Sequence, residues 1–129
     1  MNVVDSCGWL EHFLDGSNRA FFTPVLKDTS KLIVPSVSVY EVCRRVLMLY
    51  GVQQADMVRR AMTSVTVVQL DATGMYQAAL ASKEYQLHMA DAIIWQTAQS
   101  HAATLYTQDA GLQRLPGVVY QAKSTNTVG

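Results

Sequence analysis

The sequence has few of the residues that identify several common classes of protein. Only two cysteines, Cys7 and Cys43, occur among 129 residues, and they lack the C-x-x-C spacing of zinc and redox motifs. We therefore predict two buried free thiols rather than a zinc site or a disulfide framework. Ten basic residues balance ten acidic ones, which argues against nucleic-acid binding through bulk positive charge alone. Phosphate recognition would need a local basic patch or a bound cation.

Long apolar runs and glycine-rich nucleotide-binding motifs are also missing. No stretch approaches the roughly 18 apolar residues of a membrane span, and the N-terminus lacks a basic region leading into a long apolar segment. We therefore expect a cytoplasmic protein without membrane association. The absence of a P-loop and of a dinucleotide fingerprint argues against those nucleotide-binding classes. The length and the 50% hydrophobic fraction fit one compact domain, predicted at 1–122, with a polar, flexible tail at 123–129.

Short apolar segments alternate with longer segments of helical periodicity. The predicted strands lie in "MNVVD", "KLIVPS", "SVTVVQL", "ATLYTQD" and "GVVYQ". In one predicted helix Pro24 would cause a bend or a break, and in another Met75, Ala78, Ala79 and Leu80 would face inward. Strands joined by connections of helical length imply crossovers. The expected fold class is therefore α/β, with a mostly parallel central sheet of four to five strands and helices on both faces.

Acidic residues occur at four of the predicted strand-to-helix junctions. Asp5 ends the first strand and Asp109 follows "TLYT"; Glu41 and Asp91 lie near the starts of two helices. Ligands of open parallel sheets bind beyond the carboxyl ends of the strands, so we expect these acids at one edge. Carboxylates about 5 Å apart repel by roughly 3 kcal/mol per pair at an effective dielectric of 20, so such a cluster persists mainly when cations fill it. Oxygen ligands of this kind select magnesium or manganese.

Each acid also has a purely structural interpretation. Asp5 and Asp91 could be helix N-caps, a role worth about 1 kcal/mol, and Asp109 in "TQDAG" resembles a turn residue. Ser38 and Glu41 have the S-x-x-E spacing of a capping box. A shared position at one edge of the sheet favours a metal site over four unrelated caps. A divalent ion there could lower the pKa of bound water and orient it for attack on phosphorus.

Four motifs, in this order and spacing, resemble those of the PIN-domain endoribonucleases, and within them the VapC-type toxins of bacterial toxin–antitoxin pairs. They are "VVDSCGWLE", "LIVPSVSVYEV", "LHMADAIIWQTA" and "LYTQDAGL", and the resemblance covers nearly the whole chain. It implies a PIN-like three-layer α/β/α domain that cleaves an RNA phosphodiester with metal-activated water. An acidic quartet would be catalytic and would bind one or two magnesium or manganese ions: Asp5, Glu41, Asp91 and Asp109.

The resemblance also implies supporting residues and protein partners. Thr107, in the T-x-D motif, and Ser6 would support a metal ligand or a bound water. Many relatives carry a hydroxyl or an amide two residues after the first acid, whereas this chain has Cys7. Family members usually form homodimers and are inhibited by a cognate VapB-type antitoxin whose tail crosses the acidic groove. We therefore expect a homodimer and an antitoxin partner.

The densest basic group consists of two arginine pairs, Arg44–Arg45 and Arg59–Arg60. These side chains could line an RNA path, and solvated helix faces explain them equally well. Arg44 or Arg45 could instead pair with Glu41 on the same helix.

The sequence alone is also compatible with other functions. The chain could be a PIN-domain nuclease that is not a toxin, or a PIN-like module that binds RNA or protein without cutting. A non-cutting module would normally lose one or more of the acids, and this chain keeps all four. Aspartyl-phosphate hydrolases need a second acid two residues after the first, where this chain has Cys7.

Overall fold

Strands and helices alternate along the computed structural model, which describes residues 1–124. The strands are β1 (Asn2–Val4), β2 (Ile33–Pro35), β3 (Thr66–Val68), β4 (Thr104–Thr107) and β5 (Val118–Tyr120). The helices are α1 (Ser6–Phe13), α2 (Arg19–Lys27), α3 (Ser36–Tyr50), α4 (Val52–Thr63), α5 (Ala72–Tyr85) and α6 (Met89–Ser100). None of these helices is long and apolar enough to cross a membrane. Residues 125–129 of the predicted tail lie outside the described residues.

Every pair of neighbouring strands in the described chain is parallel. β4 lies between β1 and β5 in one sheet, and β2 pairs with β3 in another. A parallel bridge between Asn2 and Leu32 joins the two sheets, which gives the strand order β3-β2-β1-β4-β5. The prediction of a mostly parallel sheet is confirmed. Because the strands run in one direction, their carboxyl ends open at one edge.

The core has two apolar clusters, one on each face of the sheet. Val3 packs into the cluster that contains Ile94 of α6, whereas Val4 packs into the cluster that contains Phe22 of α2. Successive side chains of a strand point to opposite faces, so one short strand contributes to both clusters. Helices cover both faces, and the predicted three-layer α/β/α arrangement is confirmed.

Helix α5 buries smaller side chains than the sequence predicts. Ala78 is buried as predicted, but Ala79 is exposed, and Met75 and Leu80 are 45% and 51% exposed. Ala81 is buried instead, three residues after Ala78 on the same helical face. Small residues on this face let α5 lie close to α6, and the larger apolar side chains point outward.

Two further predictions on local structure need correction. A break at Pro24 is wrong, since Pro24 lies inside α2 and the helix continues to Lys27; the alternative, a bend, stays a prediction. Cys7 and Cys43 are free thiols, as predicted, but both are only half-buried. Cys7 is partly exposed because it lines the groove described next.

Candidate metal centre

Three carboxylates meet at the carboxyl edge of the sheet. Asp5 follows β1 directly, Asp109 follows β4 by two residues, and Asp91 is the third residue of α6. One oxygen of each carboxylate lies within 4.8 Å of the other two. Asp5 and Asp109 are neighbours because β1 and β4 pair in parallel, although they are distant in the sequence. The structure therefore brings together three of the four predicted acids as closest neighbours.

Asp5 is held in place by hydrogen bonds to both of its carboxylate oxygens. It is 4% exposed, and Oδ1 accepts a 2.8 Å hydrogen bond from the Ser6 backbone N–H. Oδ2 accepts from the Thr107 hydroxyl at 2.7 Å and lies 3.6 Å from the Cys7 thiol. Asp5 is the N-cap of α1, so the capping interpretation is correct for this acid. The same contacts fix its position within the acidic group.

The Thr107 hydroxyl connects two of the acids. It donates to Asp5 Oδ2 and accepts a 3.0 Å hydrogen bond from the Asp109 backbone N–H. Thr107 is fully buried, which keeps water from competing for these bonds. The Asp109 side chain accepts from the Gly111 backbone N–H at 2.8 Å, so the turn role predicted for Asp109 is also observed. One buried hydroxyl thus fixes Asp5 relative to the turn that carries Asp109.

Glu41 adjoins the three acids without joining their closest group. Its Oε1 accepts a 2.6 Å hydrogen bond from the Ser6 hydroxyl, and it lines the same groove as Asp5. The predicted capping box is wrong, because α3 begins at Ser36 and Ser38 is already inside the helix. The Ser38 hydroxyl is buried and has no hydrogen-bond partner among the described residues.

Asp91 is not a helix cap. The N-cap position of α6 belongs to His88, and Asp91 lies within the first turn. An acid there interacts favourably with the positive end of the helix dipole. Its carboxylate is half-buried and points toward the other acids rather than capping the helix. The lone acid in this apolar helix therefore belongs to the acidic group.

Burial and mutual repulsion make two of these acids hard to ionise. Burial raises the pKa of Asp5 against the lowering effect of its hydrogen bonds from Thr107 and Ser6. Burial, followed by repulsion from Asp5 and then Asp109, raises the pKa of Asp91 to about 8. A nearby cation would offset this repulsion and favour the ionised forms. Clustered carboxylate oxygens that repel one another fit magnesium or manganese, which are hard cations.

The Cys7 thiol is a neighbour of the acids with a different role. Burial, and next the charge of Asp5, raise the pKa of this thiol well above its ordinary value. The Cys7 thiol lies 3.6 Å from Asp5 Oδ2 as a weak hydrogen-bond donor, and its sulfur does not belong to the group of ligand atoms that lie within 4.8 Å of one another. The departure from the hydroxyl or amide of many relatives therefore keeps a contact to the first acid.

The acids lie in an open groove with a volume of about 660 Å³. Its basic residues are Arg44, Arg45 and Lys123. No ion pair within 4.0 Å joins them to an acid of residues 1–124, so the predicted pairing of Arg44 or Arg45 with Glu41 is wrong. Because these charges are not neutralised by neighbouring carboxylates, they are available to an anionic ligand.

The second predicted arginine pair has a structural partner. Arg59 and Arg60 form ion pairs of 2.6 and 2.9 Å with Asp56 on the same helix, α4, and they are not part of the groove lining. Lys123 is the charged groove residue that the sequence did not predict, since it was assigned to the flexible tail; the apolar Leu10 and the exposed Tyr40 also line the groove without having been predicted. The position of Lys123 soon after the last parallel strand is the signal that could have identified it.

The chain belongs to the PIN domain family. The sequence profile that describes this family matches residues 3–118. PIN domains are generally nucleases, and the acidic group of this chain fits a metal site. A search of curated proteins finds no significant match to the sequence.

Several solved structures share the fold. A chain of a toxin–antitoxin complex from Klebsiella pneumoniae matches with a TM-score of 0.74 and 22% identity, over 92% of this chain and 96% of that one. A chain of DNA-bound VapBC from Salmonella typhimurium matches with a TM-score of 0.73 and 15% identity, over 95% of this chain and 98% of that one. A third match is a chain of VapBC2 from Rickettsia felis, in a complex with a DNA fragment from its promoter. Its TM-score is 0.73 and its identity 12%, over 94% of this chain and 97% of that one. At these identities the likeness establishes the fold.

Proposed function

We propose that this PIN domain is a VapC-type toxin, a magnesium- or manganese-dependent endoribonuclease that hydrolyses an RNA phosphodiester. The observation that carries the proposal is the group formed by Asp5, Asp91 and Asp109, with ligand oxygens within 4.8 Å of one another. Its position at the carboxyl edge of the parallel sheet is where ligands of such folds bind. The family match and the toxin–antitoxin complexes among the structural relatives support the same function.

The three clustered acids are the residues that would hold the metal. Glu41 would complete the set, directly or through water, because Ser6 holds its carboxylate beside Asp5 in the same groove. When bound, a divalent ion supplies the positive charge and the activated water that phosphodiester hydrolysis requires. Thr107 keeps Asp5 and the Asp109 turn in a fixed relation, so the ligand oxygens do not need to rearrange.

The arginines of α3 would bind the substrate backbone. Arg44 and Arg45 line the groove without an ion pair to any described acid. Arginine presents several N–H donors in a geometry that fits phosphate, and contacts to phosphate position a nucleic acid without reading its sequence. A protein with balanced charge overall can thus attract RNA locally.

An antitoxin partner is proposed for the apolar surface that begins at the groove. Tyr40, which lines the groove, is 66% exposed. Further large apolar side chains are exposed at the end of α3 and in α4: Leu47, Met48, Leu49, Tyr50, Val52 and Met57. A segment with an apolar helix face would cover this surface, and acidic residues beside that face would reach Arg44 and Arg45. Such a segment would block substrate entry, and several structural relatives come from toxin–antitoxin complexes.

A homodimer is proposed through a second apolar surface, on α5 and α6. Its large exposed side chains are Met75, Tyr76, Leu80, Tyr85 and Met89. A twofold interface uses the same patch on both subunits, and a largely uncharged patch can face its own copy without repulsion. The separation of this surface from the groove residues lets a dimer form while both grooves stay open.

We propose that the protein acts in the cytoplasm.

Asparagine variants at two acids test the proposal. Asp5→Asn and Asp91→Asn should each abolish magnesium-dependent cleavage of cellular RNA and weaken manganese binding measured by calorimetry. Asparagine caps a helix nearly as well as aspartate, so Asp5→Asn should keep its fold, as checked by circular dichroism. Lys83→Gln on α5 serves as an exposed control with unchanged activity. Full cleavage by both asparagine variants would contradict the site, and manganese binding without cleavage of any RNA by the unchanged protein would favour a binding module.

A further inference from the structure

The segment that follows β5 contributes a basic residue to the acidic groove. Lys123 lines the groove together with Asp5, Asp91 and Asp109. It makes no ion pair within 4.0 Å to an acid in the described part of the chain. Its ammonium group is therefore a positive charge beside the acids that no neighbouring carboxylate neutralises.

The strand order puts this charge on one side of the acids and the arginines on the other. Along the edge, α3 follows β2, Asp5 follows β1, Asp109 follows β4, and Lys123 follows β5. The sheet order is β3-β2-β1-β4-β5. Arg44 and Arg45 thus lie toward the β2 side of the metal centre, and Lys123 lies toward the β5 side. A strand of nucleic acid crossing the edge would meet positive charge before and after the acids.

Hydrogen bonds hold the backbone just before Lys123, and a side-chain contact holds the residue just after it. The Gln121 backbone N–H donates a 3.0 Å bond to the Thr107 carbonyl. The Asn18 Nδ2 group donates a 2.9 Å bond to the Ala122 carbonyl. The hydroxyls of Ser17 and Ser124 are in contact. The segment is therefore anchored by residues immediately before and after the lysine.

The Asn18 anchor is itself fixed inside the protein. Asn18 is 8% exposed, and its amide also donates a 2.9 Å bond to Oε1 of Gln108, which is 1% exposed. Gln108 lies between Thr107 and Asp109 in the sequence, so the anchor is connected to the segment that carries the metal centre. A buried, shared amide of this kind costs free energy to disrupt. The segment that carries Lys123 is thus connected through Asn18 to the segment that carries Asp109.

From these contacts we propose that Lys123 binds a backbone phosphate of the RNA substrate on the β5 side of the scissile bond. The proposal rests on the ribonuclease function proposed above and extends it. The ammonium group offers three donors on a flexible stem, which suits a phosphate whose position varies with the RNA sequence. Together with Arg44 and Arg45, Lys123 would hold the substrate on both sides of the metal centre.

The test measures RNA binding without cleavage. In an Asp5→Asn background, the affinity for a fluorescein-labelled, mixed-sequence single-stranded RNA is determined by anisotropy over a series of salt concentrations with magnesium present. Lys123→Gln should weaken binding several-fold and reduce the magnitude of the salt slope by about 0.7, the value for one lost phosphate contact on a single strand. Lys83→Gln, which removes an equal charge outside the groove, should leave the slope unchanged, and Lys123→Arg should restore most of the affinity.

Kinetics and an anchor variant provide independent readouts. In the cleaving protein, Lys123→Gln should raise KM several-fold with little change in kcat, because a phosphate contact remote from the scissile bond binds substrate and transition state alike. Asn18→Ala should weaken RNA binding when Lys123 is present and have no further effect in the Lys123→Gln variant. Melting temperatures of all variants show whether each one is folded.

The failures of the two proposals are distinguishable. RNA binding by the Asp5→Asn protein with a salt slope unaffected by Lys123→Gln would overturn the role of Lys123 alone. A kcat effect without a KM effect would also overturn it. If neither the Asp5→Asn protein nor the unchanged chain binds or cuts any RNA, the ribonuclease function itself is overturned, and the role of Lys123 falls with it.

Discussion

The Thr107 hydroxyl donates a 2.7 Å hydrogen bond to Asp5 Oδ2 and so ties the end of β4 to the end of β1. The same hydroxyl accepts from the backbone N–H of Asp109. Two of the clustered acids are consequently positioned by one side chain that does not belong to the acidic group. Outer groups of this kind orient the ligands of a metal and are worth about 10- to 100-fold in affinity or activity.

Replacing this hydroxyl should weaken the metal centre while the overall fold is kept. Thr107→Val retains the shape of the side chain but leaves the Asp109 N–H without its acceptor and removes one of the donors to Asp5. We expect manganese affinity and RNA cleavage to fall by about 10- to 100-fold, and the free energy of unfolding to fall by about 1–3 kcal/mol. Thr107→Ser keeps the hydroxyl and should retain most of the affinity. Equal losses in both variants would contradict a specific role for the hydroxyl, because Thr107→Ser keeps it.

The Ser6 hydroxyl should affect metal binding through Glu41. Ser6→Ala removes the 2.6 Å hydrogen bond to Glu41 Oε1, which frees that carboxylate to leave the groove, and we expect a loss of manganese affinity of about tenfold. The matched control is Ser38→Ala, because Ser38 is equally buried but its hydroxyl has no partner among the described residues. Ser38→Ala should leave metal affinity unchanged and stability equal or higher. Calorimetric titration and thermal melting check both variants, and equal metal affinities for them would contradict a role for Glu41.

The metal-free protein should lose stability as the pH rises. The pKa of Asp91 is raised from 3.8 to about 8 in the folded state, so between these values the folded chain binds more protons than the unfolded chain. The stabilisation by the protonated Asp91 carboxyl is complete below pH 3.8 and declines as the pH rises, until it is lost above about pH 8. Burial also raises the pKa of Asp5, which adds a further loss of stability with rising pH.

Melting curves in a chelator, compared between the unchanged protein and Asp91→Asn, isolate this effect. The lowered pKa of His12 gives a trend of opposite sign, and it cancels in the comparison because both proteins contain it. The melting temperature should fall with pH more steeply in the unchanged protein. Added manganese should restore more stability at the alkaline end, since binding favours the ionised acids. Identical slopes in the two proteins would show that Asp91 does not titrate in this window.

Gly8 should be required for the close approach of α1 to the sheet. A Cβ atom at this position would lie 2.5 Å from both Phe22 Cδ1 and Val4 Cγ1. Alanine ordinarily favours a helix over glycine by about 1 kcal/mol, but such a clash should outweigh that gain and destabilise the protein by about 1–3 kcal/mol. Denaturant unfolding of Gly8→Ala measures the loss. Combining it with Val4→Ala, which removes one clashing methyl, should cost less than the sum of the single changes.

The order of the elements and the edge that carries the site could be predicted because both depend on local patterns. Short apolar runs between helical segments imply a parallel sheet, and a residue that follows a strand in such a sheet must lie at the carboxyl edge. For this reason Asp5 and Asp109 could be placed together without coordinates. Asp91 was placed at the same edge as a candidate metal ligand, with a helix cap as the alternative. The cap is wrong because the N-cap of α6 is His88, three residues earlier.

The inward face of α5 and the role of Lys123 depend on packing that the sequence does not display. Met75 and Leu80 are more apolar than Ala81, but Ala81 is the residue that is buried, in the cluster that contains Ile94 of α6. The segment around Lys123 has the polar composition of a loose tail, and its order comes from the Asn18 amide, far away in the sequence. Hydrogen bonds between distant segments leave no local pattern that a single sequence can reveal.

The assembly of the acidic group from both ends of the fold has a consequence during synthesis. Asp5 leaves the ribosome long before Asp109 and the buried Thr107 hydroxyl, which follow only after α6 is complete. β1 also lacks one of its two parallel neighbours until β4 emerges. A growing chain therefore has no complete acidic group until α6 and β4 have been made. An RNA-cutting activity that depends on this group could not act on the messenger or the ribosome while the earlier part of the chain is being made.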